Sequence, residues 1–254
     1  MARTSEGAAL TVRHRQAQLA LRAQLLRDYR MLWPIWKGDE QSFRLLVSAT
    51  IPLVQSRRQS ASALAGAYFD MFRRTEKVGG VAAAIADRAF DAKAVETSLY
   101  VTGLNSVRNS VAVGFSPQAA MGNAFVKVSG AMSRHVAAGA RDAILASTAS
   151  DQEARGYARV TGGNPCAFCA MLASRGAAYA EDTVDFEAHD HCSCFAEPVY
   201  GDSELPGRGQ EFKDLWNETV VPERVWDENR GGYRYRNPPD ALNQFRQALA
   251  ARAE

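Results

Sequence analysis

The chain has no apolar run approaching the roughly 18 residues that a membrane helix requires. Its longest hydrophobic stretches are broken by Arg, Asp, Glu or Gly. It also lacks a Gly-x-Ser-x-Gly element, the turn that displays a hydrolase serine, and it shows no internal repeat. The opening residues, Met1-Ala2-Arg3-Thr4-Ser5, lead into polar, Arg-bearing sequence rather than an apolar core with a small-residue cleavage site. The expectation is a protein without a leader or lipid anchor, made and kept in a cytosol. Histidine is scarce: outside one short window only His14, in a polar Arg-flanked segment, and His135 remain, and neither has a nucleophile marked beside it. Cysteine is scarcer in distribution than in number, because no cysteine precedes position 166. Disulfides therefore cannot staple the first half, and 254 residues with 46% hydrophobic content can bury a core without them.

What is present begins with a charge gradient. The net charge of +2 divides into +7 for residues 1–74, +1 for 75–155 and −6 for 156–254. A basic front and an acidic back suggest surfaces with different partners, although dispersed arginines on helices also serve simply as solvated faces. The first 150 residues read as helix after helix. Leu19 to Trp33 carries apolar residues at helical spacing, and Pro34 and Gly38 break it. A second helix is expected over Ser42–Leu53, ending near Pro52, and a third over Gln55–Arg74 with a Leu64, Tyr68, Met71, Phe72 stripe. An Ala-rich amphipathic stretch follows from Val81 to Val101. Ser116-Pro117 then starts a long helix to about Ser147, whose Gly and Ala content permits close helix packing.

The texture changes near Gly156. Tyr157–Thr161 and Phe195–Tyr200 read as strands, Ala177–Ala180 as a further candidate strand, and Ala167–Ser174 as a short helix capped by Gly176. A unit of this size needs a staple. Beyond Gly201 the chain is acidic and turn-rich, with helical pieces near Glu211–Glu218 and Asp240–Ala250. The expected fold is therefore mainly α over residues 1–155, a small α+β metal-stapled module over 156–200, and an irregular, partly helical segment over 201–254.

The staple is written in the pattern Cys166-x2-Cys169-x19-His189-x-His191-Cys192-x-Cys194. A Cys-x2-Cys turn aims two thiolates at one point, and a second cluster about twenty residues on closes a tetrahedron. This donor chemistry suits a structural Zn²⁺, since a catalytic zinc keeps an open position and favours His and carboxylate ligands. Six donors compete for four places. Cys166 and Cys169 are the anchors, and His189 with Cys192 or Cys194 completes the set, the remaining cysteine standing beside it. Disulfides would leave the two histidines unexplained, and a redox Cys-x2-Cys lacks its βαβ context. A separate run, Arg230-Gly-Gly-Tyr233-Arg234-Tyr235-Arg236, interleaves cations with aromatics in the manner of a nucleic-acid contact. Because the surrounding block is net −6, a flexible or hairpin loop between acidic helices is the reading the sequence favours.

These motifs resemble a known family. Cys166-Ala-Phe-Cys169, the helix end Leu172-Ala-Ser-Arg-Gly176, and His189-Asp-His-Cys192-Ser-Cys194-Phe-Ala-Glu-Pro198-Val199 are similar to the core of the phage Mu F-like minor head (head morphogenesis) proteins of tailed bacteriophages. Phe212-Lys-Asp-Leu215-Trp216 and Ala241-Leu-Asn-Gln-Phe-Arg246 resemble the version found in phages of actinobacteria. Ser193 stands where the family usually has Arg, and His191 is an addition. The resemblance implies a minor capsid protein of the virion head, assembled in the host cytoplasm in several copies. Its partners would be the portal or the major capsid protein, and packaged DNA is a third candidate. It implies no catalytic residues. A capsid maturation protease, a zinc-dependent nuclease with His191 as base, and a DNA-binding protein of the packaged head are the alternatives.

Overall fold

Thr4 opens the regular structure: its hydroxyl accepts the Gly7 N–H at 3.0 Å and caps α1 (Ser5–Leu32). The helix starts fourteen residues before the Leu19 expected from its apolar spacing, because two inward positions of its first half, Thr11 and His14, are polar by type yet buried. A 3-10 turn, Trp33–Ile35, reverses the chain. The computed structural model describes residues 2–80, 82–85, 89–176, 188–201, 205–228 and 231–252; the candidate strand Ala177–Ala180 lies outside them.

The two helices expected on either side of Pro52 are one. α2 runs from Glu40 to Thr75 with Pro52 inside it, capped by the Asp39 carboxylate on the Ser42 N–H at 2.8 Å. Proline removes one backbone bond and crowds the preceding turn. Burial on both sides offsets that cost: Phe43, Leu46, Val47 and Thr50 before it, and Val54, Ala61, Ala65 and Phe69 after it, enter the same core. The Ala-rich stretch after Val81 becomes helical only at α3 (Ala92–Thr102), where Asp91 caps the Ala94 N–H. A short α4 (Leu104–Ala112) follows. α5 (Pro117–Ser150) starts as its sequence signals require, with Ser116 accepting from Ala119 N–H and Pro117 at the first position. α2 packs against both α5 and α1, and the aromatics Tyr29, Trp33, Trp36, Phe43 and Phe125 close one end.

β1 (Gly156–Val160) and β2 (Phe195–Val199) pair antiparallel with Ala158 opposite Glu197, and both are buried throughout. Between them lies α6 (Ala167–Ala173). α7 (Gly209–Thr219) and α8 (Ala241–Ala251) cover α6 through Phe212, Leu215 and Phe245. The hairpin of β3 (Glu223–Asp227) and β4 (Gly232–Arg236) separates them. The architecture is mainly α with small antiparallel strand pairs, and no helix among the described residues is long and apolar enough to cross a membrane.

Buried charges lock distant segments together. Glu197 accepts from the Thr11 hydroxyl at 2.5 Å and from the Ala2 N–H at 2.9 Å, joining β2 to the start of the chain. Burial pushes its carboxyl above the usual range. Arg73 on α2 meets Asp151 at 2.8 Å, and the Tyr200 hydroxyl donates to the same carboxylate at 3.0 Å. Both partners are almost fully shielded from water, so removing one strands a charge. Asp151→Ala should destabilise the fold by about 3–5 kcal/mol, measured as a lowered denaturant midpoint. A change below about 1 kcal/mol would mean that Arg73 finds other acceptors.

Candidate metal centre

Cys166 sits at the N-cap of α6, and its sulfur accepts the Cys169 N–H at 3.4 Å. One helical turn then brings Cys169 to the buried side of the same sulfur pair. The other donors arrive on the loop entering β2. His189 Nε2 lies 3.0 Å from Cys166 Sγ and 3.9 Å from Cys169 Sγ, and Cys192 Sγ lies 3.6 Å from Cys169 Sγ. The donors form two triangles, Cys166–Cys169–His189 and Cys169–Cys192–Cys194, with Cys169 shared. Zn–S bonds of about 2.3 Å at tetrahedral angles place sulfurs roughly 3.7 Å apart, close to the Cys169–Cys192 spacing. The cluster can therefore hold a metal ion. No cysteine is bonded to another.

His189 and His191 part company here. The His189 Nδ1–H donates to the Asp190 carbonyl at 2.6 Å, which fixes the ring with Nε2 facing the thiols, the orientation a ligand needs. His191 takes a left-handed φ of 64°, and the Cys192 N–H bonds back to the His189 carbonyl at 3.1 Å. That reversal carries the His191 ring out of the cluster and onto Gly130 of α5, where any side chain would collide with it. At Gly130 the room left by the missing side chain is thus taken by a histidine ring rather than by a neighbouring helix.

Two arginines that the sequence did not mark complete the centre. Buried Arg141 of α5 donates from Nε to the Cys194 carbonyl at 3.0 Å, and from Nη2 to the Cys194 and Cys192 carbonyls at 2.9 and 3.2 Å. Buried Arg159 of β1 points Nη1 at Cys169 Sγ, 3.7 Å away. Arg134 of α5 pairs with Asp190 at 2.8 Å. Gly130, Arg134 and Arg141 are spaced by four and seven residues, one face of the helix, and the whole loop is laid along that face. The close sulfurs divide charge among themselves. Hydrogen bonds from Cys169 and Cys194 hold Cys192 far below the usual thiol range, and the same contact with Cys192 pushes Cys169 far above it.

The expected nucleic-acid residues do not form one surface. β4 alternates, so Tyr233 and Tyr235 share a face with Trp226 and Arg224, the last stacked 3.9 Å over the Tyr233 ring. Arg234 and Arg236 point to the other face, where Arg234 pairs with Asp227 at 3.1 Å and Arg236 stands opposite Glu223. Arg230 lies outside the described residues. The remaining histidines are structural in setting: His14 is buried and stacked on Tyr68, and His135 bonds Ser98 at 2.9 Å. Burial lowers both to about 4.

A mainly helical protein with a cysteine-rich, metal-competent centre is the class these features define. Residues 7–219 match the VG15 protein family, and the chain belongs to it, a family of viral gene products. The match spans the whole Cys/His cluster and ends before the β3–β4 hairpin and α8. No curated protein and no solved structure matches the chain.

Arg141→Met keeps the bulk of the side chain but frees the two carbonyls. It should weaken metal binding by roughly 10–100-fold, read by competition with a chromogenic chelator. Cys169→Ser should lose binding more completely, and in both proteins affinity should fall as pH drops, because protons compete for thiolate and imidazole. Equal affinities for Arg141→Met and the parent chain would remove the arginine from the centre.

Proposed function

We propose that the chain is a minor head protein of a tailed phage, of the Mu F-like head morphogenesis type, in which a structural zinc fixes a docking module. The observation that carries this reading is the donor set itself: Cys166, Cys169 and His189 form one triangle of ligand atoms and Cys169, Cys192 and Cys194 a second, so that His189 and the cysteines together offer enough donors to fill a tetrahedral ion's four positions, with the Cys194 carbonyl held by Arg141. A saturated, cysteine-rich site supplies folding energy rather than an open coordination position. Membership of a viral family over 213 residues agrees with it. The resemblance of the motif to Mu F-like proteins points to the portal or major capsid protein as the partner, and to the virion head as the place. The nuclease alternative needs His191 near the ion, and its ring instead rests on Gly130 and against Arg22.

Mass spectrometry of purified, DNA-filled virions tests the proposal. The expected result is this chain in heads at a low copy number relative to the major capsid protein, co-purifying with portal or capsid subunits when heads are disrupted. Its absence from particles that infect normally would overturn the assignment.

A further inference from the structure

A cleft runs between α1 and α5 and is closed at one end by the Cys192-Ser193-Cys194 turn. Leu19, Val136, Ala137 and Ala140 give it an apolar floor, while Arg15 and Arg22 stand on its rim, and no acidic side chain lines it. Arg15 is half-buried, its Nε is shut off from solvent, and among the described residues it has no hydrogen-bond or ion-pair partner. A side chain at Gly162 would meet Arg15 Nη2 at 2.9 Å and Ser193 Oγ at 3.1 Å, so the guanidinium and the hydroxyl converge over that glycine. Arg22 donates only to neutral groups, the His191 carbonyl and ring nitrogen, each at 3.3 Å. In this partly enclosed, apolar-floored cleft Arg15 has no counter-charge and Arg22 has only the Cys192 sulfur near it, an arrangement that is costly as it stands.

We infer that this cleft is a docking socket for a carboxylate, presented by an acidic side chain of a partner protein. Arg15 and Arg22 supply the charge, a guanidinium fork matches a carboxylate edge to edge, and Ser193 adds a hydroxyl donor. The apolar floor takes the aliphatic stem and neighbouring residues of a protein segment, which a duplex phosphate backbone does not offer. The net charge of +7 over residues 1–74, which include Arg15 and Arg22, favours an acidic partner for this part of the chain. The inference rests on the cleft alone and does not depend on the head-protein reading.

The test follows the arginine side-chain N–H signals of the full chain in nitrogen–proton spectra, with N-acetylglutamate as probe. At constant ionic strength, saturable shifts of the Arg15 and Arg22 Nε signals are expected, with none at exposed Arg13. Arg15→Gln should weaken the probe about tenfold or more, the loss of a hydrogen bond to a charged group. Arg22→Gln should do the same and stands in if the first variant does not fold. Shifts that grow linearly and equally with sodium chloride, or that appear equally at Arg13, would overturn the socket. Tighter binding of inorganic phosphate or duplex DNA at the same signals would overturn the assignment to an acidic protein.

Discussion

A buried guanidinium carries several N–H donors and a charge that cannot be given up, so its surroundings must be arranged to suit it. Arg141, 3% exposed near the C-terminal end of α5, imposes that condition on everything near the Cys/His cluster. It is met by the backbone carbonyls of Cys192 and Cys194. With those carbonyls pinned to the long helix, the Cys192 thiol reaches the other way, to Cys169 on α6. The same charge, with Arg159 on the opposite side, offsets the negative charge that three or four thiolates would place in a dry interior. A cluster assembled from a helix start and a loop thus acquires a fixed wall.

The wall extends along α5. Asp190 is held by Arg134 and the His191 ring by the gap at Gly130, so a loop of six residues touches the helix at three levels. From the other side the chain start is drawn in. Glu197, three residues beyond Cys194, takes the Ala2 N–H and the Thr11 hydroxyl, and Glu76 of the α2 end takes the Arg3 and Thr4 N–H groups. Cysteines late in the sequence and the first helix therefore share one core, and Cys169, Cys192 and Cys194 pack in the same cluster as Leu25, Phe43 and Phe72. The α1–α5 cleft exists because α1 is held beside the cysteine turn in this way.

The donor cluster could be read from sequence because thiols in a Cys-x2-Cys turn and a nearby Cys-x-Cys have few other uses in a chain otherwise free of cysteine. The preference for His189 over His191 was legible as well, but its physical reason was not, since that reason turns on one left-handed residue and on a glycine about sixty positions away. Arg141 and Arg159 were illegible for a different reason: an arginine in an Ala-rich helix or short strand reads as a solvated charge until its burial is seen. Pro52 misled in the opposite direction, because local backbone cost was outweighed by burial on both sides of it. Tyr233-Arg234-Tyr235-Arg236 forms one cluster along the sequence, whereas the two-residue period of a strand divides it between opposite faces. The Ser116-Pro117 start of α5 and the strands flanking the cluster, set by local rules, were legible.

X-ray absorption at the zinc edge of the purified full chain tests the central claim most directly. Three sulfurs at about 2.3 Å and one nitrogen at about 2.0 Å are the predicted shell, with the nitrogen signal lost in His189→Ala and retained in His191→Ala. A shell of oxygen and nitrogen only, or a nitrogen that vanishes with His191 instead, would contradict the account of how α5 and the cysteine turn build the centre.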